Sequence, residues 1–78
     1  MPHISLKMLK GRTEEQKKNT CEKLTSALCE ALGCQKSHVS CTIEDYTAEE
    51  WQDVYAVDIE SKKEKLYKIP DYDPKSLL

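Results

Sequence analysis

The sequence predicts an α+β fold built on one β-α-β unit. In this unit a parallel two-stranded sheet carries one main helix. A short C-terminal helical tail follows, and oligomerisation completes the fold. Three observations predict it. Residues 3–9 and 38–45 each alternate apolar and polar side chains with period two. Residues 13–32, between them, repeat with helical period and carry both a start and a stop signal. Finally, 78 residues cannot cover both faces of the sheet they build.

In the first strand, Ile4, Leu6 and Met8 point one way, and His3, Ser5 and Lys7 point the other. This is the pattern of a half-buried strand. Lys10-Gly11 breaks it. Thr13-Glu14-Glu15-Gln16 is a capping box, with a Thr N-cap and Gln three residues on. Cys21, Leu24, Leu28, Ala31 and Leu32 then recur at i, i+3, i+7, i+10 and i+11, an apolar stripe that Ala27 extends. Gly33 stands where a glycine ends a helix. In the second strand Val39, Cys41 and Ile43 face one side, with His38, Ser40, Thr42 and Glu44 on the other. The connection of about 28 residues is long enough for a crossover, which makes the strands parallel and the unit right-handed.

The tail starts with a second capping box, Thr47-Ala48-Glu49-Glu50, which predicts a short helix at about 47–53. A further helix is predicted at about 59–68. Pro70 and Pro74 are expected to end regular structure. Residues 71–78 read as a loosely held tail whose Tyr72, Leu77 and Leu78 can dock on a neighbour. The whole chain, 1–78, reads as a single domain.

Size makes assembly a physical requirement. Surface scaling gives roughly 4,900 Å² for a folded chain of this mass against roughly 13,000 Å² unfolded, so about 63% is buried. A two-stranded sheet with one helix leaves a sheet face open to water, and a second copy would cover it. The charge balance, 12 Lys+Arg against 14 Asp+Glu, lacks the basic excess of a nucleic-acid or membrane-surface protein. No apolar run approaches the ~20 residues of a membrane span. Met1-Pro2-His3 lacks the basic and apolar regions of a signal peptide, so the expected location is the cytoplasm. Cys21, Cys29, Cys34 and Cys41 contain no C-x₂-C pair, so their spacing does not suggest zinc. In a reducing compartment Cys21, Cys29 and Cys41 read as small apolar core residues.

Few residues are candidates for chemistry. Removal of Met1 frees a secondary amine on Pro2. An apolar pocket or nearby cations lower such an amine's pKa, and a base near neutral pH can then shuttle protons. Arg12, the only arginine, lies just before a helix N-terminus, and its planar fork suits a carboxylate. Trp51 is the only tryptophan and suits a core or an interface. His3 and His38 have no partner at nucleophile-activating or metal-ligand spacing and read as strand-surface residues. With glycine only at 11 and 33, no phosphate-binding loop is present.

Taken together, Pro2-His3-Ile4, the stretch Leu9-Lys10-Gly11-Arg12-Thr13-Glu14-Glu15-Gln16-Lys17, the helix, and Val39 to Glu44 resemble the 4-oxalocrotonate tautomerase family. The likeness runs without a gap from Pro2 through Trp51. Trp51 and the Pro70-Asp71-Tyr72 ending look more like the short bacterial, dimeric branch that acts on phenylenolpyruvate-type enols. The resemblance implies that Pro2 is the general acid and base. It implies that Arg12 binds a substrate carboxylate, often across a subunit boundary, and that Trp51 walls the pocket. The second arginine of the hexameric enzymes aligns with Ser40, which can hydrogen-bond an oxygen but cannot supply charge. The implied substrate is therefore a small enol or 2-oxo acid, a monocarboxylate with an apolar or aromatic end. The implied reaction is a keto–enol proton shift needing no metal or organic cofactor. The implied partner is a second copy of the chain, as a homodimer or within a hexamer. Two other readings share the framework: a dehalogenase or decarboxylase using the same proline, and an oligomeric module without catalysis. A single arginine counts against the first.

Overall fold

A computed structural model of the protein describes all 78 residues. They form two compact units, Met1–Asp45 and Tyr46–Leu78. The first holds strand β1 (His3–Leu9), helix α1 (Glu14–Leu32) and nearly all of strand β2 (Ser40–Tyr46). The strands pair in parallel as a two-stranded sheet, the architecture expected from the alternation and the length of the crossover.

Helix α1 begins and ends where its signals lie. The Thr13 hydroxyl accepts from the Gln16 amide at 3.1 Å, and the Gln16 side chain accepts from the Thr13 amide at 2.9 Å. Two N–H groups that the helix cannot satisfy are thereby paired. At the other end Gly33 takes φ 71° and donates to the Cys29 carbonyl at 2.8 Å. That left-handed conformation suits glycine because it has no Cβ. Lys17 ties α1 to β2 by bonding Asp45, with Glu14 at 3.5 Å. The hydrogen bond to Asp45, reinforced by both carboxylate charges, raises the Lys17 pKa despite partial desolvation. The second Asp45 oxygen, Oδ1, is shielded from water and has no partner within the chain.

Three expectations are corrected. The second strand starts at Ser40, not at residue 38. Lys36–His38 form a 3₁₀ turn in which His38 and Val39 donate to Gln35 and Lys36. Their amides are used locally and cannot join the ladder at that point. His38 is therefore a turn residue, whereas His3 does lie in a strand.

The second unit also departs from the expected pattern. Helix α2 (Ala48–Val54) carries the predicted box, with Thr47 and Glu50 bonded reciprocally at 3.1 and 2.8 Å. Instead of a separate helix at 59–68, the chain continues as a π-helical turn over Tyr55–Ile59 and a 3₁₀ segment over Glu60–Lys65, kinked at Lys62. Pro74 opens a 3₁₀ turn through Leu77 rather than ending regular structure. Gln52 donates to the Pro74 carbonyl at 2.8 Å and holds that turn against α2.

The third correction concerns the core. No residue of the isolated chain is buried, so the cysteines do not fill a closed interior. All four are free, half-buried thiols. The chain exposes 6198 Å², about a quarter more than scaling gives for a folded monomer of its mass. No helix is long and apolar enough to cross a membrane.

Candidate active site

Pro2 lies one residue before β1 and is half-buried. Its carbonyl accepts a hydrogen bond from the Ser40 amide at 3.3 Å, which locks the starts of the two strands together. With Met1 attached, the Pro2 nitrogen is an amide and holds no basic lone pair. Only the processed chain has an amine there.

Ser40, the first residue of β2, lies at this same end of the sheet. Its hydroxyl is 2.6 Å from Nδ1 of His3. Pro2, His3 and Ser40 thus form one cluster. Sequence reasoning read His3 only as a surface residue. The pairing depends on β2 starting at Ser40 rather than at residue 38, which the alternation alone did not indicate.

Arg12 is exposed in the loop after β1. Gly11, at φ 132°, makes the turn that leads into it. The Arg12 guanidinium donates to the Leu9 carbonyl at 3.2 Å, which holds the charged head near the end of its own strand. Glu14 and Glu15 occupy the first turn of α1 and offset the positive potential of that terminus. Arg12 and Pro2 lie at opposite ends of β1. Seven strand residues separate them, or about 20 Å at the usual rise per residue. Within one chain, Arg12 and Pro2 cannot hold the same small molecule.

Trp51 belongs to α2 in the second unit. Its indole N–H donates to the Tyr72 hydroxyl at 2.8 Å, and its ring meets Tyr46 edge-on at 6.4 Å. Tyr72 in turn packs edge-on against Tyr55 at 5.6 Å. Trp51 is therefore anchored by residues of its own unit, and Tyr72 is a tethered residue rather than a loose one. A cavity of about 380 Å³ in this unit is lined by Tyr55, Ile59, Leu66, Ile69 and Pro70, and contains none of Pro2, Arg12, Ser40 or Trp51.

The titratable groups around the sheet complete the electrostatics. Partial burial raises the Cys41 and Cys29 thiols, with further contributions from Cys21 and Cys34 respectively. The Cys34 and Cys29 sulfurs are 3.4 Å apart. No group of three or more His, Cys, Asp or Glu side chains is arranged to hold a metal ion.

Comparison with known proteins points one way. Residues 2–54 match the family model described as "Tautomerase enzyme". A probable tautomerase of Xylella fastidiosa is 38% identical over 73 residues, covering 92% of this chain and 89% of that protein. A 2-hydroxymuconate tautomerase of Comamonas testosteroni is 47% identical over 51 residues, covering 65% of this chain and 81% of that protein. Among solved structures, a 4-oxalocrotonate tautomerase isozyme from Methylibium petroleiphilum superposes with a TM-score of 0.61 at 42% identity, covering 64% of this chain and 81% of that one. The β-α-β architecture and the match that opens at Pro2 agree, and the chain belongs to the tautomerase family of enzymes.

Proposed function

We propose that this tautomerase moves a proton between oxygen and carbon of a small 2-hydroxy-enol acid, using the amine of Pro2 after Met1 is removed. Pro2 takes the proton from the enol hydroxyl and returns it to carbon, so one nitrogen is both base and acid. The electron pair of the broken O–H bond becomes the C=O π bond, and the π pair of the C=C bond takes up the proton as the new C–H bond. Arg12 of a second copy holds the carboxylate through a charge-assisted pair. Ser40 hydrogen-bonds an oxygen of the substrate, and Trp51 supplies an aromatic surface to its apolar end.

The observation that carries this reading is the strand-length separation of Pro2 from Arg12 within a family match that includes both. Catalysis then requires at least a homodimer. The surplus exposed surface and the lack of any buried residue support the same conclusion. Some matched relatives are named for 2-hydroxymuconate, the enol of a dicarboxylic acid. Ser40 brings no positive charge to a second carboxylate, so a monocarboxylate with an apolar or aromatic end suits this chain better.

The test is the rate of ketonisation of phenylenolpyruvate beside that of 2-hydroxymuconate. The wild type is expected to favour the former in kcat/KM, and Pro2→Ala to lose both activities. An unchanged rate in Pro2→Ala removes Pro2 from the mechanism, and a preference for the dicarboxylate removes the substrate assignment.

A further inference from the structure

We propose that His3 is a positioning residue that turns the Ser40 hydroxyl into a hydrogen-bond donor for an anionic substrate oxygen. The inference rests on the proposed role of Ser40 and adds a residue to it.

The geometry is local and specific. His3 Nδ1 and Ser40 Oγ are 2.6 Å apart across the paired strands, and the Ser40 amide is bonded to the Pro2 carbonyl. The serine is thus held at both its backbone and its side chain beside the residue proposed to carry the proton. Both side chains are exposed and open to a ligand.

The direction of the bond decides what Ser40 can do. A hydroxyl has one proton and two lone pairs. If Ser40 donates to Nδ1, its proton is used and only lone pairs face the substrate. Those repel a carboxylate or an enolate oxygen. If Nδ1–H donates to Ser40, the serine proton is left free for that oxygen. A neutral imidazole protonated at Nδ1 and the imidazolium both provide this second arrangement. An anionic oxygen at Ser40 therefore selects the form of His3 that donates from Nδ1. In this way a neutral serine acquires a directed donor beside Pro2.

The experiment is steady-state kinetics of the processed, full-length enzyme on phenylenolpyruvate. The variants are Ser40→Ala, His3→Leu, the double variant, and His3→Asn, whose amide nitrogen stands near the place of Nδ1. Ser40→Ala and His3→Leu are each expected to lower kcat/KM about tenfold. The double variant is expected to lose no more than Ser40→Ala alone, because the two residues act through one hydrogen bond. His3→Asn is expected to recover most of the loss. Should His3→Leu impair assembly, His3→Phe keeps the ring shape without the nitrogen and is expected to behave as His3→Leu. If His3→Leu retains the wild-type rate while Ser40→Ala is impaired, His3 has no such role and the reading of Ser40 stands. If Ser40→Ala retains the wild-type rate, the reading of Ser40 falls and this inference falls with it. Additive losses in the double variant, or an Asn variant no better than Leu, would mean that His3 only supports the strand.

Discussion

Two inactive variants of this protein should restore each other. Pro2→Ala removes the proposed base and Arg12→Ala the proposed carboxylate clamp. In one chain these residues sit at the two ends of β1, about 20 Å apart. Any site that joins them takes Pro2 from one copy and Arg12 from another. Co-refolding equal amounts of the two variants shuffles the subunits. A given site then draws Pro2 from an Arg12→Ala chain half the time, and Arg12 from a Pro2→Ala chain half the time. About one quarter of the sites contain both intact residues, in a dimer or in a larger ring. Ketonisation of phenylenolpyruvate by the co-refolded mixture should therefore reach about one quarter of the wild-type rate, far above either parent. A mixture no faster than the mean of its parents, with mixed oligomers demonstrated by mass spectrometry, would show that the site does not span two chains.

Other consequences are simpler to measure. Arg12→Ala alone should lower kcat/KM by about 30- to 1,000-fold through loss of a charge-assisted carboxylate contact; steady-state kinetics checks this. Thr13→Ala removes the hydroxyl that accepts from the Gln16 amide and should cost about 1 kcal/mol. A melting curve followed by circular dichroism should then show Tm lower by about 4–8 °C. Because folding raises the Lys17 pKa, the stability its pairing contributes is fully present below the ordinary amine value of 10.5 and is lost as pH rises through the higher folded value. Denaturant titrations of Lys17→Met should show a flatter alkaline decline than the wild type. Without reductant, the denatured protein should titrate four thiols. In the native state Cys29 and Cys41 should alkylate more slowly than a free cysteine at pH 8, since folding raises both.

The parts of the fold that were legible in the sequence are those encoded locally. Thr13, Gln16 and Gly33 mark α1 to the residue because capping is a matter of neighbours three and four positions apart. The box at Thr47 marks α2 for the same reason. The start of β2 was less legible, since alternation at 38–39 competes with a 3₁₀ turn whose bonds are also local. Past Val54 the Lys- and Glu-rich stretch has no apolar period to distinguish π, 3₁₀ and α turns. The tether of Tyr72 to Trp51 spans 21 positions, and the Ser40–His3 bond spans 37. Contacts of that kind depend on how elements pack or on strand register. The His3–Ser40 contact needed the true start of β2, and the Tyr72 contact needed the packing of the tail, so neither was written in a local pattern. The active site was legible only as residue types. Pro2 and Arg12 flank opposite ends of β1, a separation that the strand's bounds alone fix.

The central claim is that the Pro2 amine transfers the proton, and the state of the N-terminus tests it most directly. Intact mass spectrometry separates protein that has lost Met1 from protein that keeps it. Phenylenolpyruvate ketonisation is then measured on each form at equal concentration. The processed form should carry essentially all the activity, because Met1 turns the Pro2 nitrogen into an amide. Equal activity in the two forms would contradict the mechanism.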